Sequence, residues 1–244
     1  MKLLTLASCS LLAACSSSSD TVSSNDYDDV AQNVATASSS DNGGDVQAMG
    51  DVVLVASGSM PLGLTISANG QVSGIIGGIS YDFSLMCRDS SGASQTNCNS
   101  QSDLADVKLD WSGSLNLPNF STSMERHGDW SMMDLQEPSV KLAGNGNFSF
   151  DSSITNPNTN TTAAYHFDYE AAYMSVFIDK NTALATSGEI DYAINANKTI
   201  NGAETSFSVD ATINFNGDGT ATITLDGTHH YKLDLTTHVV IKVD

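Results

Sequence analysis

Apolar and polar side chains alternate along most of the chain beyond residue 50. From Val107 to Leu117 every second residue is apolar or glycine, and polar side chains stand between them. A period of two places the two sets on opposite faces of a β-strand. The same alternation predicts seven later strands, within residues 140–150, 165–173, 190–194, 207–215, 221–225, 231–235 and 239–243.

Short turn sequences separate these runs and point to hairpins. Asn69-Gly70, Gly77-Gly78 and residues 216–219 tolerate the positive φ of tight turns, and Pro118 is expected to end the strand before it. No segment shows a convincing helical stripe. We therefore predict one all-β domain over residues 51–244, an antiparallel meander of about a dozen strands closed as a soluble β-barrel or β-sandwich.

Strands of outer-membrane barrels alternate in the same way, with the apolar face towards lipid. Aromatic residues make up only 7% of this chain and do not gather at strand ends as girdles. The last strand also ends on Val243 and Asp244 rather than on an aromatic residue. These features favour a domain that is not inserted in the bilayer.

The N-terminus has the outline of a secretory signal. Lys2 precedes an apolar run that closes on Leu12, Ala13, Ala14 and Cys15, and the run is too short to span a bilayer. It resembles the lipobox of bacterial lipoproteins, in which a small residue precedes an invariant cysteine. The resemblance implies that residues 1–14 are removed and that Cys15 becomes a lipid-modified N-terminus.

The residues after Cys15 predict both the membrane to which the protein is sorted and a flexible tether. In many bacteria aspartate after the acylated cysteine signals retention in the inner membrane, and Ser16 here favours the outer membrane. Residues 16–50 contain nine serines, six aspartates and no Lys or Arg. Such a composition lacks the apolar surface needed to offset ordering entropy, so residues 15–50 are predicted to be a flexible tether.

The chain is strongly acidic, with nine Lys and Arg against 28 Asp and Glu and a formal net charge of −19. Nucleic acid is excluded as a partner, because phosphate binding needs clustered Lys and Arg. Attachment to a membrane is expected through the N-terminal lipid rather than through charge.

Two cysteines remain after the signal region, Cys87 and Cys98. An even number outside the cytoplasm is normally a disulfide, so we predict one bridge between them. No CxxC pairing or nearby histidine favours a metal site instead.

Two further clusters could bind a metal ion. Asn214, Asn216 and Asp218 match the first oxygen positions of a calcium loop, but Leu225 stands where the loop needs its bidentate acid. A plain hairpin is the main interpretation and a weak calcium site the alternative, with no cofactor otherwise expected. His230 and His238 could join a carboxylate around zinc, although exposed strand histidines are commoner.

The densest functional-looking cluster is His127, Gly128, Asp129 and Trp130, which we expect in a loop between two strands. Rigid sheets commonly carry binding residues on such loops. Trp130 beside polar groups could stack on a sugar ring, or it could cap the end of the barrel.

No Gly-x-Ser-x-Gly elbow, His-Glu-x-x-His motif or phosphate loop is present. The sequence therefore predicts a non-enzymatic, lipid-anchored envelope protein at the outer membrane, periplasmic or surface-exposed, that binds a protein, a glycan or a small hydrophobic ligand or has a structural role. A carrier with an apolar barrel cavity and an envelope hydrolase are the alternatives. A carrier needs a wide apolar cavity, and a hydrolase needs His127 beside a carboxylate in a cleft.

Overall fold

The computed structural model describes residues 22–40, 43–67, 70–76, 78–117, 120–156 and 160–243. Twelve strands form one antiparallel sheet, in which each strand pairs with the next along the chain. The prediction of an all-β antiparallel meander with about a dozen strands is confirmed. The strands are β1 Leu64–Ile66, β2 Gln71–Ile76, β3 Ile79–Asp89, β4 Ser102–Leu117, β5 Phe120–Met133, β6 Ser139–Asn156, β7 Thr161–Asp179, β8 Leu184–Ile200, β9 Ala203–Phe215, β10 Thr220–Leu225, β11 His229–Asp234 and β12 Val240–Val243.

The sheet is not closed by hydrogen bonds, because β1 pairs only with β2 and β12 only with β11 among the described strands. Its period-two pattern holds as predicted. In β7 and β9, for example, buried residues alternate with exposed ones over most of the strand. One face is therefore apolar and the other is polar, and we call them the inner and outer faces.

Two helices cover the inner face, and they correct the predicted tether. Helix α1 spans Ser24–Ala37 and helix α2 spans Asp45–Ala56. Residues 24–37 and 45–50 are thus helical and largely buried, so the prediction of an unstructured segment is wrong for this part of residues 15–50. The predicted signal peptide, residues 1–14, and the predicted lipidation site Cys15 lie outside the described residues.

Local sequence explains both helices. Ser23 caps α1 through a reciprocal capping box with Asp26. Apolar or aromatic residues at positions 27, 30, 31, 34 and 35 then repeat at helical spacing, and the last four are buried. Helix α2 is apolar on most of its surface and packs closely on the sheet. A Cβ on Gly50 would lie 2.6 Å from the carbonyl oxygen of Ala183 in the turn between β7 and β8.

The sheet curls around α1. Asp28 contacts Tyr231 of β11 and Lys242 of β12, while the next residue, Asp29, contacts Tyr165 of β7. Five strand spacings would separate β7 from β12 by about 24 Å in a flat sheet. Two neighbouring aspartates cannot reach across that distance, so the inner face must wrap around the helix.

The predicted disulfide between Cys87 and Cys98 is confirmed. Their Cα atoms are 5.3 Å apart, which is normal for a bridge. Cys87 is buried on the inner side of β3, and the bridge fastens the loop between β3 and β4 to the core. No helix in the described ranges is long and apolar enough to cross a membrane.

Candidate functional site

Strand β5 carries an arginine and a histidine in succession, and their side chains point to opposite faces of the sheet. Arg126 faces inwards and His127 faces outwards, and each pairs with an aspartate. The two pairs differ in burial: the side chains of Arg126 and Asp45 are 0% exposed, whereas His127 and Asp110 are 45% and 71% exposed. The outer pair is therefore accessible to a ligand from solvent, whereas the inner pair is not.

The inner pair joins α2 to the middle of the sheet. Arg126 Nη1 donates to Asp45 Oδ1 at 2.6 Å, and the Tyr192 hydroxyl donates to Asp45 Oδ2 at 2.5 Å. Burial raises the pKa of Asp45, and the charge of Arg126 and the hydrogen bond from Tyr192 oppose that rise. This aspartate is the first residue of α2, so the positive end of the helix dipole also favours its charged form.

Aromatic rings surround the buried guanidinium. The Arg126 Cζ atom lies 4.3 Å from the centroid of the Phe148 ring and 5.5 Å from that of Trp111. Its Nε and Nη2 atoms have no hydrogen-bond acceptor among the described residues. Cation–π contacts with these rings offset part of the cost of burying the charge. The ion pair at the centre of this cluster is closed to solvent and joins α2 to the sheet.

The outer pair lies in a shallow concavity of about 460 Å³ on the outer face. His127 Nδ1 is 2.8 Å from Asp110 Oδ1, across the pair of strands β4 and β5. The polar and charged side chains beside them are Glu125, Asn147, Ser149, Asp168, Glu170 and Asn195. Carboxylates and amides therefore dominate this surface, and it presents hydrogen-bond acceptors to solvent.

The structure moves the His127 cluster from a loop into a strand. His127, Gly128, Asp129 and Trp130 all belong to β5, so their side chains alternate between the faces. Trp130 is only 1% exposed and packs edge-on against Trp111 and Tyr173, with centroids 5.7 and 5.3 Å away. The predicted stacking of Trp130 on a sugar ring is therefore wrong. His127 and Asp129 remain on the outer face.

Side chains of the outer face bond one another across strands. Asn195 accepts a hydrogen bond from Ser208 at 2.8 Å, and Asn197 accepts one from Ser206 at 2.7 Å. Such cross-strand pairs stabilise a sheet by a few tenths of a kcal/mol up to about 1 kcal/mol each. Much of the polar surface thus has a structural use in addition to any ligand.

A second exposed histidine sits between two carboxylates. His166 Nδ1 is 2.7 Å from Asp151 Oδ1, and its Nε2 is 3.5 Å from Asp168 Oδ1. The hydrogen bond to Asp151 is the main reason that the pKa of His166 is raised above its ordinary value. The carboxylates favour the protonated ring, so this site carries less negative charge than its residue count suggests.

The calcium-like sequence forms a hairpin turn between β9 and β10. Asn216 donates from Nδ2 to the hydroxyl oxygen of Thr220, and Asp218 accepts from the backbone and hydroxyl of the same threonine. Asn214 stands in β9 instead of the turn. Two of the three predicted calcium ligands, Asn216 and Asp218, are thus engaged within the hairpin. A plain hairpin at this position is the main interpretation made from the sequence.

The histidines near the C-terminal end do not gather around a common point. His229 stacks on Tyr27 of α1 with centroids 3.8 Å apart, and His230 Nδ1 lies 3.2 Å from the Thr224 hydroxyl on the outer face. Within the described residues, no group of three or more His, Cys, Asp or Glu side chains is arranged to hold a metal ion.

The sequence analysis did not identify Asp45 or Arg126 as partners in a buried ion pair. Asp45 lies in the segment predicted to be a tether, and Arg126 directly precedes the cluster predicted to lie in a loop. The parity of Arg126 with Met124 and Trp130 nevertheless assigns it to the inner face. That parity was the signal that could have identified Arg126.

Comparison with protein-family models, curated proteins and solved structures finds no match to this chain.

Proposed function

We propose that this chain is a lipid-anchored protein of the cell envelope, held at the outer membrane through Cys15, whose β-domain has a non-enzymatic binding or structural role. The observation that carries the proposal is the position of the fold relative to the lipobox-like run. The described residues begin at Val22, seven positions after Cys15, and from there the chain forms one sheet with its two helices. Almost the whole mature chain would then stand beside the membrane as a single unit.

The outer face of the central strands is the surface best suited to a partner. Its concavity around His127 and Asp110 is open and lined by carboxylate, amide and hydroxyl groups. These groups suit a hydrophilic partner, protein or glycan, that donates hydrogen bonds. Phe148 and Tyr169 line the floor but are buried, so polar contacts would carry the binding.

The anchor is tested by substituting Cys15 and following the protein in envelope fractions. Cys15→Ala should abolish incorporation of labelled fatty acid and release the protein from the membrane. Cys9→Ala is the matched control, because it removes a cysteine of the signal region that the lipobox pattern does not use. Fatty-acid labelling that survives in Cys15→Ala would contradict the proposal.

Membrane choice has its own test. In an envelope that uses the aspartate rule, Ser16→Asp should move the lipidated protein to the inner membrane. Ser17→Asp, one residue further on, is the control and should leave the protein in the outer membrane. A protein that stays in the same membrane in all three forms would contradict the sorting assignment while leaving lipidation intact.

Binding is tested by crosslinking on the outer face. A photoreactive residue at position 147 should capture a partner from intact envelopes, and Asp110→Asn with His127→Ala should reduce that capture. The same photoreactive residue at position 236, in the exposed turn before β12, is the control. Equal capture at both positions would contradict a binding role for this face.

One observation favours the hydrolase alternative, since His127 lies within hydrogen-bond distance of a carboxylate in a concavity. His127 bonds Asp110, and no serine hydroxyl among the described residues completes a nucleophile–base pair with it. Loss of a hydrolytic activity in His127→Ala would establish this alternative.

For the carrier alternative, α1 and α2 occupy the inner face, so a hydrophobic ligand would have to displace them.

A further inference from the structure

Exposed apolar side chains concentrate at the two free edges of the sheet. Nine large apolar side chains of the described residues are exposed, and seven of them lie in or next to β1, β2 and β12. Three of these occupy every second position at the β12 edge: Val239, Ile241 and Val243, which are 51%, 60% and 48% exposed. We call these three residues the edge strip.

Lys232 and His230 of β11 flank the edge strip on the outer face, and the backbone N–H of Asp234 donates to the carbonyl oxygen of Val239 at its other end. Ile241 stands opposite Lys232 and Val243 opposite His230 in the pairing of β11 with β12, and both β11 residues are exposed. Lys242 points to the inner face, where its Nζ lies 3.4 Å from Asp28. A row of apolar side chains beside lysines is the composition that settles at the boundary between lipid headgroups and acyl chains.

Helix α1 packs against the strand that carries this strip. Asp28, in α1, contacts Lys242 of β12, and Val22, just before the helix, packs against the core. Val22 is seven positions after Cys15, and seven Cα–Cα steps span at most about 25 Å. A lipid on Cys15 would therefore hold α1 and β12 close to the bilayer.

We propose that the edge strip rests on the bilayer interface beside the lipid anchor and so fixes the orientation of the domain; this inference rests on the proposed lipidation of Cys15. A second copy of the chain is a poorer occupant. The formal net charge of −19 opposes self-association, and an inward-pointing lysine on an edge strand hinders pairing with another sheet.

The test places an environment-sensitive fluorophore on Ile241→Cys in the full-length lipidated protein. The protein is reconstituted in nanodiscs of phosphatidylethanolamine and phosphatidylglycerol at one copy per disc, with a quencher attached to the acyl chains. The expected result is a blue shift of the emission and quenching by the lipid-bound quencher. Ser123→Cys, exposed on the outer face of β5, is the matched control and should show neither effect.

A label at 241 that behaves like the one at 123, on protein shown by mass to carry lipid, would overturn the edge-strip inference and leave the anchor standing. Absence of lipid in the same mass measurement would overturn the proposed function instead. A blue shift that appears only in crowded vesicles, and not in single-copy discs, would identify a second copy as the occupant and also overturn the inference. Ile241→Lys with Val243→Lys, labelled at Val239→Cys, should lose the shift while the lipid is retained.

Discussion

Arg126 and His127 are neighbours on one strand, yet their ion pairs contribute differently to the protein. The inner pair of Arg126 with Asp45 is closed to solvent and ties a helix to the sheet, whereas the outer pair of His127 with Asp110 is open to water. A buried charge that loses its partner retains its desolvation cost, while an exposed charge regains water. Position on the sheet, more than pair geometry, therefore sets the expected effect of each substitution.

The largest expected effect comes from breaking the inner pair. Arg126→Met should lower the free energy of unfolding by roughly 3–5 kcal/mol, because it leaves Asp45 buried without a counter-charge. Urea denaturation followed by tryptophan fluorescence measures the change. Adding Asp45→Asn to Arg126→Met should recover a large part of the loss. A double variant as unstable as the sum of the two single variants would contradict the coupling.

The disulfide gives the next effect on the same side of the sheet. Replacing Cys87 and Cys98 together by alanine should cost roughly 2–3 kcal/mol, since the bridge closes a short loop whose unfolded state it restricts. Reduction of the wild-type protein is the matched comparison and should give a similar loss. If both changes leave the denaturation midpoint unaltered, the bridge does not stabilise the folded protein.

Asp51 of α2 is a third inner-face group, and it is expected to oppose folding at neutral pH. Burial raises the pKa of Asp51 to about 6 from its ordinary value of 3.8. The folded state therefore holds the proton more tightly, so the cost is absent below about pH 4 and complete above about pH 6. Asp51→Asn should stabilise the protein by roughly 1–3 kcal/mol at pH 8 and have little effect at pH 4. The same gain at both pH values would contradict the raised pKa.

The outer pair should tolerate substitution. His127→Ala or Asp110→Asn is expected to change the free energy of unfolding by less than about 1 kcal/mol, because both side chains are exposed to solvent. Urea titrations in parallel with Arg126→Met compare the two faces directly. A loss at His127 as large as that at Arg126 would remove the distinction between the faces.

Period-two alternation was sufficient to predict an antiparallel meander with one buried face, because each strand has one face in the core. It missed β5, whose residues 127–130 were predicted to form a loop between two strands. It did not reveal α1, since alanine and valine at helical spacing are diluted there by serine and aspartate. Asp26, Asp28, Asp29 and Asp45 look like solvated charges in sequence, yet each contacts the sheet. Their partners lie 81 to 214 residues away, and local composition carries no information about such contacts.

His166 is expected to have the smallest effect on the free energy of unfolding, and its pKa reports on the carboxylates of the outer face. Its pKa is raised chiefly by the hydrogen bond to Asp151, so the folded state binds the proton more tightly than the unfolded chain does. The resulting stabilisation is complete below the unfolded pKa of about 6.5 and is lost as the pH rises through the higher folded value. An NMR titration of the imidazole should show the raised pKa, and Asp151→Asn should lower it. The variant His166→Gln should remove the corresponding slope from the pH profile of stability, whereas His127→Ala, whose ring has a different carboxylate partner, should leave that slope in place.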